Sequence, residues 1–428
     1  MNPGRASEQP DGGSPRARRA LARIGVAVQA LLALCVILAS YPSYLAGDRR
    51  YVAAGAIMVL VVLLAAAPLN DRLRQLALIA TLLIGLNTIV TPFLHDRAPT
   101  LTPNYLERVQ FVGDVMPGFS GVQTISTDAK GYRTNVPVDY ARKPAGVFRV
   151  FAIGGSTTEQ IALGDEKTWV SVLGEHLERS SGRRVEAVNT GVSGMRAEHH
   201  LVTLGTIAGY EPDLVIVMMG VNDWNRHIKT GGNRAFLFFY DLVEHLDMRQ
   251  SVMGRAYRAL RSLFAVPHAD RKLPALRIDR GEYLSRQNNS LERSERRKFY
   301  PEAVSPNYRG YAREIASFCR SHALRCMFVD QPTAYAPDIS AEVKTRLWMT
   351  PPNEDYTLSL ENMAYIAQLY NSSLRAIADE SQLAFCGISG RAAPTSAVFY
   401  DDCHFNEPGA RRIAALLADC VLTHKLGP

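Results

Sequence analysis

Cysteine is scarce in this chain, with six in 428 residues. That is far below the density of a fold held by disulfides in place of a core, so such a scaffold is excluded. Glycine and proline are not enriched: 31 Gly and 23 Pro exclude a collagen-like chain, and 47% hydrophobic with 21% charged residues excludes a wholly disordered one. Lysine is absent from the first 100 residues, where ten Arg stand against five acids. That region carries +5 of the net +7, and the rest of the chain is nearly neutral, with 38 basic and 36 acidic side chains. Without a clustered basic face there, nothing points to a nucleic-acid partner. No internal repeat is visible. The length allows two or three domains at about 150 residues each.

Apolar residues, by contrast, are concentrated. Segments 24–46, 51–69 and 75–94 contain no formal charge, and each is near the roughly 20 residues a helix needs to cross a bilayer. A signal peptide followed by two buried core helices is the alternative, but a signal peptide has a shorter apolar region and a small-residue cleavage site. The sequence therefore predicts an Arg-rich cytoplasmic tail over 1–23 and three transmembrane helices within 24–94. Gln29, Cys35, Gln75 and Asn87 would face other helices. With the N-terminus in the cytoplasm, Arg5, Arg16, Arg18, Arg19, Arg23, Arg72 and Arg74 lie inside, against Arg49, Arg50 and Arg97 outside. The positive-inside rule selects this orientation. An odd number of spans then puts the remainder of the chain on the extracytoplasmic, periplasmic side of the cell membrane, with Tyr41, Tyr44 and Tyr51 as interfacial anchors.

Residues 95–147 are rich in turn formers and hold two short strand-like runs, 121–126 and 132–136, which read as a spacer with a small β element. From Phe148 the pattern becomes apolar strand, helix, apolar strand. That alternation marks a parallel sheet covered by helices on both faces. Strands are expected at 148–153, 184–188, 213–219, 326–329 and 383–386, with helices at 169–179, 196–208, 308–322, 359–380 and 408–422. The fold class is α/β, a three-layer doubly wound sheet over 148–428. An insertion at 225–305 separates the third and fourth strands; it carries amphipathic pieces at 235–246 and 253–264 and a polar, basic tract at 280–298. Overhanging the carboxyl ends of the strands, it reads as a lid or partner surface, or equally as a solvated insertion.

Four loops carry residues suited to chemistry. The first runs from an apolar strand through Gly154 and Gly155 to Ser156, where glycines permit a sharp turn and a helix start points N–H groups outward. Taken singly, it also fits a phosphate loop or a plain strand end. The second holds Asn189, Gly191 and Gly194, and the third Gly220, Asn222 and Asp223, each directly after a strand. A carboxamide and a backbone N–H free of Cβ are what an oxyanion requires, because both donate without bringing a charge. The fourth holds Asp401, Asp402, Cys403 and His404 ahead of the last helix. A carboxylate three positions before a histidine can fold back onto one ring nitrogen and leave the other to take a serine proton. A zinc site from Cys403, His404 and His199 or His200 has no paired Cys/His spacing behind it, so no metal and no cofactor is expected.

Gly154-Gly155-Ser156, Gly194, Gly220-x-Asn222 and Asp401-x-x-His404, in this order and after these strands, resemble the four blocks of the SGNH (GDSL-type) hydrolase superfamily. The resemblance covers about residues 148–424 apart from the insertion, and it implies the flavodoxin-like sheet of that superfamily. The first block reads Gly-Gly-Ser-Thr here in place of the family's Gly-Asp-Ser-Leu. By resemblance Ser156 is the nucleophile, His404 the general base and Asp401 its orienting acid, with Asp402 the competing carboxylate. The Ser156 N–H, the Gly194 N–H and the Asn222 side chain would form the oxyanion hole. The implied activity is acyl transfer from an ester to water or to a sugar hydroxyl, as in anchored members that trim or transfer acetyl groups on envelope and exported polysaccharides. The substrate would be an acylated glycan, with polysaccharide-assembly proteins as possible partners. A non-catalytic glycan-binding or scaffold protein is the alternative. Five cysteines fall on the outer side, Cys319, Cys326, Cys386, Cys403 and Cys420. They allow two disulfides at most; Cys386 with Cys403 would staple the histidine loop, and free buried thiols are the other reading.

Overall fold

The structure is a computed structural model describing residues 98–111, 117–134, 136–230, 276–278, 301–344, 346–347, 358 and 360–428. These belong to one compact unit, Asp96–Asn233 with Arg258–Pro428. The tail 1–23, the three expected membrane spans and most of the 225–305 insertion, including its amphipathic pieces and basic tract, lie outside the described residues. No helix among the described residues is long and apolar enough to cross a membrane.

In chain order the elements are β1 (Leu106–Phe111), β2 (Val122–Ser126), β3 (Arg133–Thr134), β4 (Phe148–Gly154), α1 (Ser156–Glu159) and α2 (Trp169–Ser181). There follow β5 (Val185–Asn189), α3 (Ala197–Ile207), β6 (Leu214–Met218), α4 (Val221–Thr230), β7 (Leu276–Ile278) and α5 (Pro306–Ser321). The chain ends through β8 (Cys326–Val329), α6 (Ala341–Lys344), α7 (Leu360–Glu380), β9 (Ala384–Cys386) and α8 (Glu407–Thr423). Six strands form one sheet in the order β3-β5-β4-β6-β8-β9. Every residue of β4, β5, β6 and β8 is buried, as continuous apolar runs covered on both faces require. Each fully buried Val, Leu, Ile or Phe side chain there contributes roughly 1.5–3 kcal/mol. Helices α2 and α8 pack together on one face, and α3, α5 and α7 on the other, the arrangement that right-handed crossovers in opposite directions produce.

The sheet is mixed rather than wholly parallel. Five strands are parallel, but β3 runs antiparallel to β5 at the edge, Arg133 opposite Asn189. It comes from the segment expected to be a spacer and enters beside β5 without a crossover helix, which a parallel edge strand would need. A second sheet, β2-β1-β7, pairs β1 antiparallel with β2 and parallel with β7. A strand from within the 225–305 segment is thus paired with one from 95–147. The beginning of that segment also continues α4 as far as Thr230.

The expected Cys386 to Cys403 staple is not formed. Cys386 bonds Cys420, with Cα atoms 5.7 Å apart, and Cys319 bonds Cys326, leaving Cys403 a buried free thiol. Cys386 ends β9 on the side covered by α8, whereas Cys403 sits in the histidine loop with its sulfur 3.8 Å from His404 Nδ1. The Cys386–Cys420 bridge closes a stretch of 34 residues, for which loop-closure entropy contributes roughly 3–4 kcal/mol. That stretch contains the whole histidine loop, so the bridge secures it from outside rather than within.

Candidate active site

Among the parallel strands, β4 is followed to one side by β5 and to the other by β6, so the crevice over the carboxyl ends of β4 and β6 is the switch point of the sheet. Ser156 opens α1 two residues beyond the end of β4, and Asn222 lies in the first turn of α4 beyond β6. The backbone has to turn tightly here. A Cβ on Gly154 would lie 2.1 Å from Thr158 Oγ1, and one on Gly191 would lie 2.3 Å from the Glu159 amide nitrogen. Neither position tolerates a side chain without the loop moving.

His404 and Asp401 come to this point from the turn before α8. Asn406 caps that helix by accepting from Gly409 N at 2.9 Å, and its amide donates to Pro117 O and Ser396 O. The cap therefore fixes where the histidine loop stops. Asp401 is 1% exposed and accepts from the His404 and Cys403 backbone N–H groups at 2.9 and 3.1 Å. Its two oxygens each lie 2.8 Å from His404 Nδ1. A carboxylate only accepts, so the ring proton is assigned to Nδ1 and Nε2 is left as an acceptor. Nε2 stands 2.7 Å from Ser156 Oγ. The three side chains thus form one hydrogen-bonded line from residues 248 positions apart.

Asp402 does not share this role. Its Oδ1 accepts from the buried Tyr335 hydroxyl at 2.9 Å, and its carbonyl accepts from Ala334 N. The turn sends Asp401 to the imidazole and Asp402 to the loop after β8. Burial, reinforced by Asp402, pushes the Tyr335 hydroxyl well up from its ordinary value. Burial, with Asp401 and Asp402 beside it, does the same to the Cys403 thiol, which is held neutral as an ordinary packing group.

The expected oxyanion donors lie in the two neighbouring loops. Gly194 has φ +80, a conformation that favours glycine, and its N–H has no acceptor among the described residues. The Asn222 carboxamide donates to Met195 O at 2.8 Å and lies against the serine turn, where a Cβ on Gly155 would come 2.6 Å from its nitrogen. Ser156 opens its helix, so its own N–H has no helical acceptor. Donors of these kinds can hold a negative oxygen.

Several residues to which the sequence assigns no role hold these loops in place. Glu159 accepts from Ser193 N and Oγ, tying α1 to the Gly194 loop. Arg133, 2% exposed, donates to the Glu159, Gln160 and Leu163 carbonyls and to Asp165. It closes the far end of the serine helix with charge-assisted bonds. Buried Asp223, beside Asn222, accepts from Ala197 N at 3.3 Å and so ties the third loop to the helix after the second. Burial and then the Glu198 charge push its carboxyl upward. Glu407 accepts from Ser120, Gln123 and Lys167, fastening the start of α8 to the loop before β2, to β2 itself and to the turn before α2. Tyr400 stacks on His404 with centroids 5.6 Å apart. Asp223 stands in the third loop of the sequence pattern; for the others the signal is spatial, and no spacing in the chain announces them.

Asp401, Cys403 and His404 offer ligating atoms within 4.8 Å of one another. Both His404 nitrogens are already directed at Asp401 and Ser156, and the two histidines weighed for zinc are placed elsewhere. His199 Nδ1 accepts from Arg196 N, and His200 is buried, its pKa lowered to about 3 by that burial.

No curated protein matches the chain. Among solved structures it is similar to an alpha/beta hydrolase enzyme from the metagenome of Lake Arreo, Spain, at 15% identity over 68% of this chain and 100% of that one, with TM-score 0.36. It is similar also to a GDSL-like lipase from Bacteroides thetaiotaomicron (13% identity, 64% and 88% covered, TM-score 0.33). A third is an acetyl-xylooligosaccharide esterase from Geobacillus (13% identity, 64% and 94% covered, TM-score 0.35). The model of the GDSL-like Lipase/Acylhydrolase family matches residues 152–412, a span that takes in more than half of the chain and all four loops, and on that match the chain belongs to this family.

Proposed function

We propose that the protein is a serine esterase in which Ser156 is the nucleophile, His404 the general base and Asp401 the residue that orients and charges the imidazole. The observation that carries this reading is the line from Asp401 through His404 to Ser156, closed by the 2.7 Å contact of Nε2 with Oγ. As Oγ attacks an ester carbonyl, its proton passes to Nε2, and Asp401 stabilises the imidazolium that forms. The carbonyl oxygen becomes negative and is received by the N–H groups of Ser156 and Gly194 and by the Asn222 amide. The imidazolium returns its proton to the departing alkoxide, and the acyl group remains on Ser156. Water, deprotonated by His404, then attacks the acyl-enzyme and frees the acid and the serine.

A serine-directed phosphonate provides the test. The full-length protein is expected to gain one phosphonyl adduct on the peptide containing Ser156, and Ser156→Ala to gain none; an adduct mapped elsewhere, or equal labelling of both, would overturn the assignment.

The substrate class in this reading is an O-acyl, chiefly O-acetyl, ester of envelope or exported polysaccharide, reached by a catalytic unit held outside the cytoplasm. Three uncharged apolar segments and the Arg distribution support the anchor and its orientation. Two disulfides in the catalytic unit support an oxidising compartment. Alkaline phosphatase fused after Pro428 is accordingly expected to be active in cells, and a reporter that works only in the cytoplasm to be silent there. The reverse pattern would invert the topology.

A further inference from the structure

A cavity of about 530 Å³ opens between α7 and the carboxyl ends of β8 and β9, a size usual for small-ligand sites. It lies on the same edge of the sheet as Ser156. Strands are spaced about 4.8 Å apart, so β8 and β9 stand two and three strands, about 10 and 14 Å, from β4. Two contacts join the cavity wall to the reaction centre. Gln331 accepts from the hydroxyl of Thr157, the residue after Ser156, at 3.0 Å, and Tyr335 donates to Asp402 in the histidine loop.

The lining specifies a ligand chemistry. Helix α7 turns Gln368, Ser372 and Arg375, at spacings of four and three, into the cavity, while Ala364 and Ala367 leave room between them. Gln368 and Ser372 are exposed, and their side chains have no hydrogen-bond partner among the described residues. Formal charge in the lining is one carboxylate and one guanidinium, which sum to zero. The carboxylate, Asp330, is already satisfied by Ile388 N, Ser389 N and Ser389 Oγ. The guanidinium of Arg375 lies 4.5 Å from the Phe385 ring centroid, a flat platform with donors along its rim. Unused amide and hydroxyl groups beside a guanidinium held over an aromatic ring, with no net formal charge, suit a neutral ligand that carries many hydroxyls and an apolar face.

We propose that this cavity binds an unesterified, uncharged sugar residue of the polysaccharide, a short distance along the chain from the ester held at Ser156. The proposal rests on the esterase reading and deepens it by adding a saccharide subsite. Binding energy gained there from a remote part of the substrate positions the ester over the serine.

The experiment compares 4-nitrophenyl acetate with partially O-acetylated tetrasaccharides of glucose, mannose, xylose and N-acetylglucosamine, using the full-length protein. Ser372→Trp fills the cavity from an exposed position, and Gln368→Ala removes a donor and an acceptor. For at least one tetrasaccharide, Ser372→Trp is expected to lower kcat/KM relative to that for 4-nitrophenyl acetate by about tenfold or more, through KM. Gln368→Ala is expected to lower the same ratio by a smaller factor. Unchanged ratios for all four sugars, with 4-nitrophenyl acetate still cleaved, would overturn the subsite alone. Absence of 4-nitrophenyl acetate cleavage by the unsubstituted protein would overturn the esterase reading beneath it.

Discussion

Replacing His404 with alanine is expected to lower kcat for an activated acetyl ester by about 10⁴- to 10⁶-fold, the scale on which single members of serine triads act. A serine hydroxyl is a weak nucleophile until a base takes its proton in the transition state. Nε2 stands 2.7 Å from Oγ, within the reach such a transfer requires. The Cys403 thiol, 3.8 Å from the imidazole, does not substitute for it, because it is buried and held neutral. The backbone of the loop does not depend on the imidazole: Tyr400 N still donates to His404 O, and the His404 N–H still reaches Asp401. The loss should therefore fall on kcat, with KM and the thermal transition little changed. Steady-state kinetics alongside a melting curve make the check, and a loss under about tenfold would remove His404 from the proton transfer.

Much of the sheet was legible in the sequence because its strands are buried on both faces. The runs at 148–153 and 326–329 reappear as Phe148–Gly154 and Cys326–Val329, since a strand with no exposed face has no polar alternation to blur its ends. The serine, glycine and asparagine loops were legible for a related reason: each follows such a strand, so the strand fixes where the loop projects. Strand β1 was not legible. Its sequence, LERVQF, mixes charged and apolar residues, and the strand forms because β2 and the distant β7 pair on either side of it. The partner of Cys386 was equally hidden, because the choice between Cys403 and Cys420 depends on which face of β9 the sulfur leaves from. Arg133 reads from the chain as one charge in a short β element. Its weight comes from three carbonyls and a carboxylate that converge around it only in the fold.

The neighbouring pair Asp401 and Asp402 gives the sharpest separation of role from proximity. Asp401→Asn keeps size and shape but replaces an acceptor of two charge-assisted contacts with a neutral amide. An asparagine nitrogen facing Nδ1 would favour the tautomer with its proton on Nε2, and an imidazole in that form cannot accept from Ser156. A loss of about 10⁴-fold in kcat is expected, the size seen for the same change in serine proteases. Asp402→Asn retains an oxygen that can accept from Tyr335 and leaves the backbone acceptance from Ala334 in place. Its cost is that of weakening one buried hydrogen bond to a charged acceptor, roughly 1.5–3 kcal/mol of stability, with kcat lowered by no more than about tenfold. The two variants therefore move different observables: the first changes turnover at nearly constant melting temperature, the second melting temperature at nearly constant turnover. If Asp402→Asn proved the more damaging to kcat, the carboxylate that supports His404 in solution would be the other one, and the hydrogen-bonded line from Asp401 to Ser156 would not be the path by which the serine is activated.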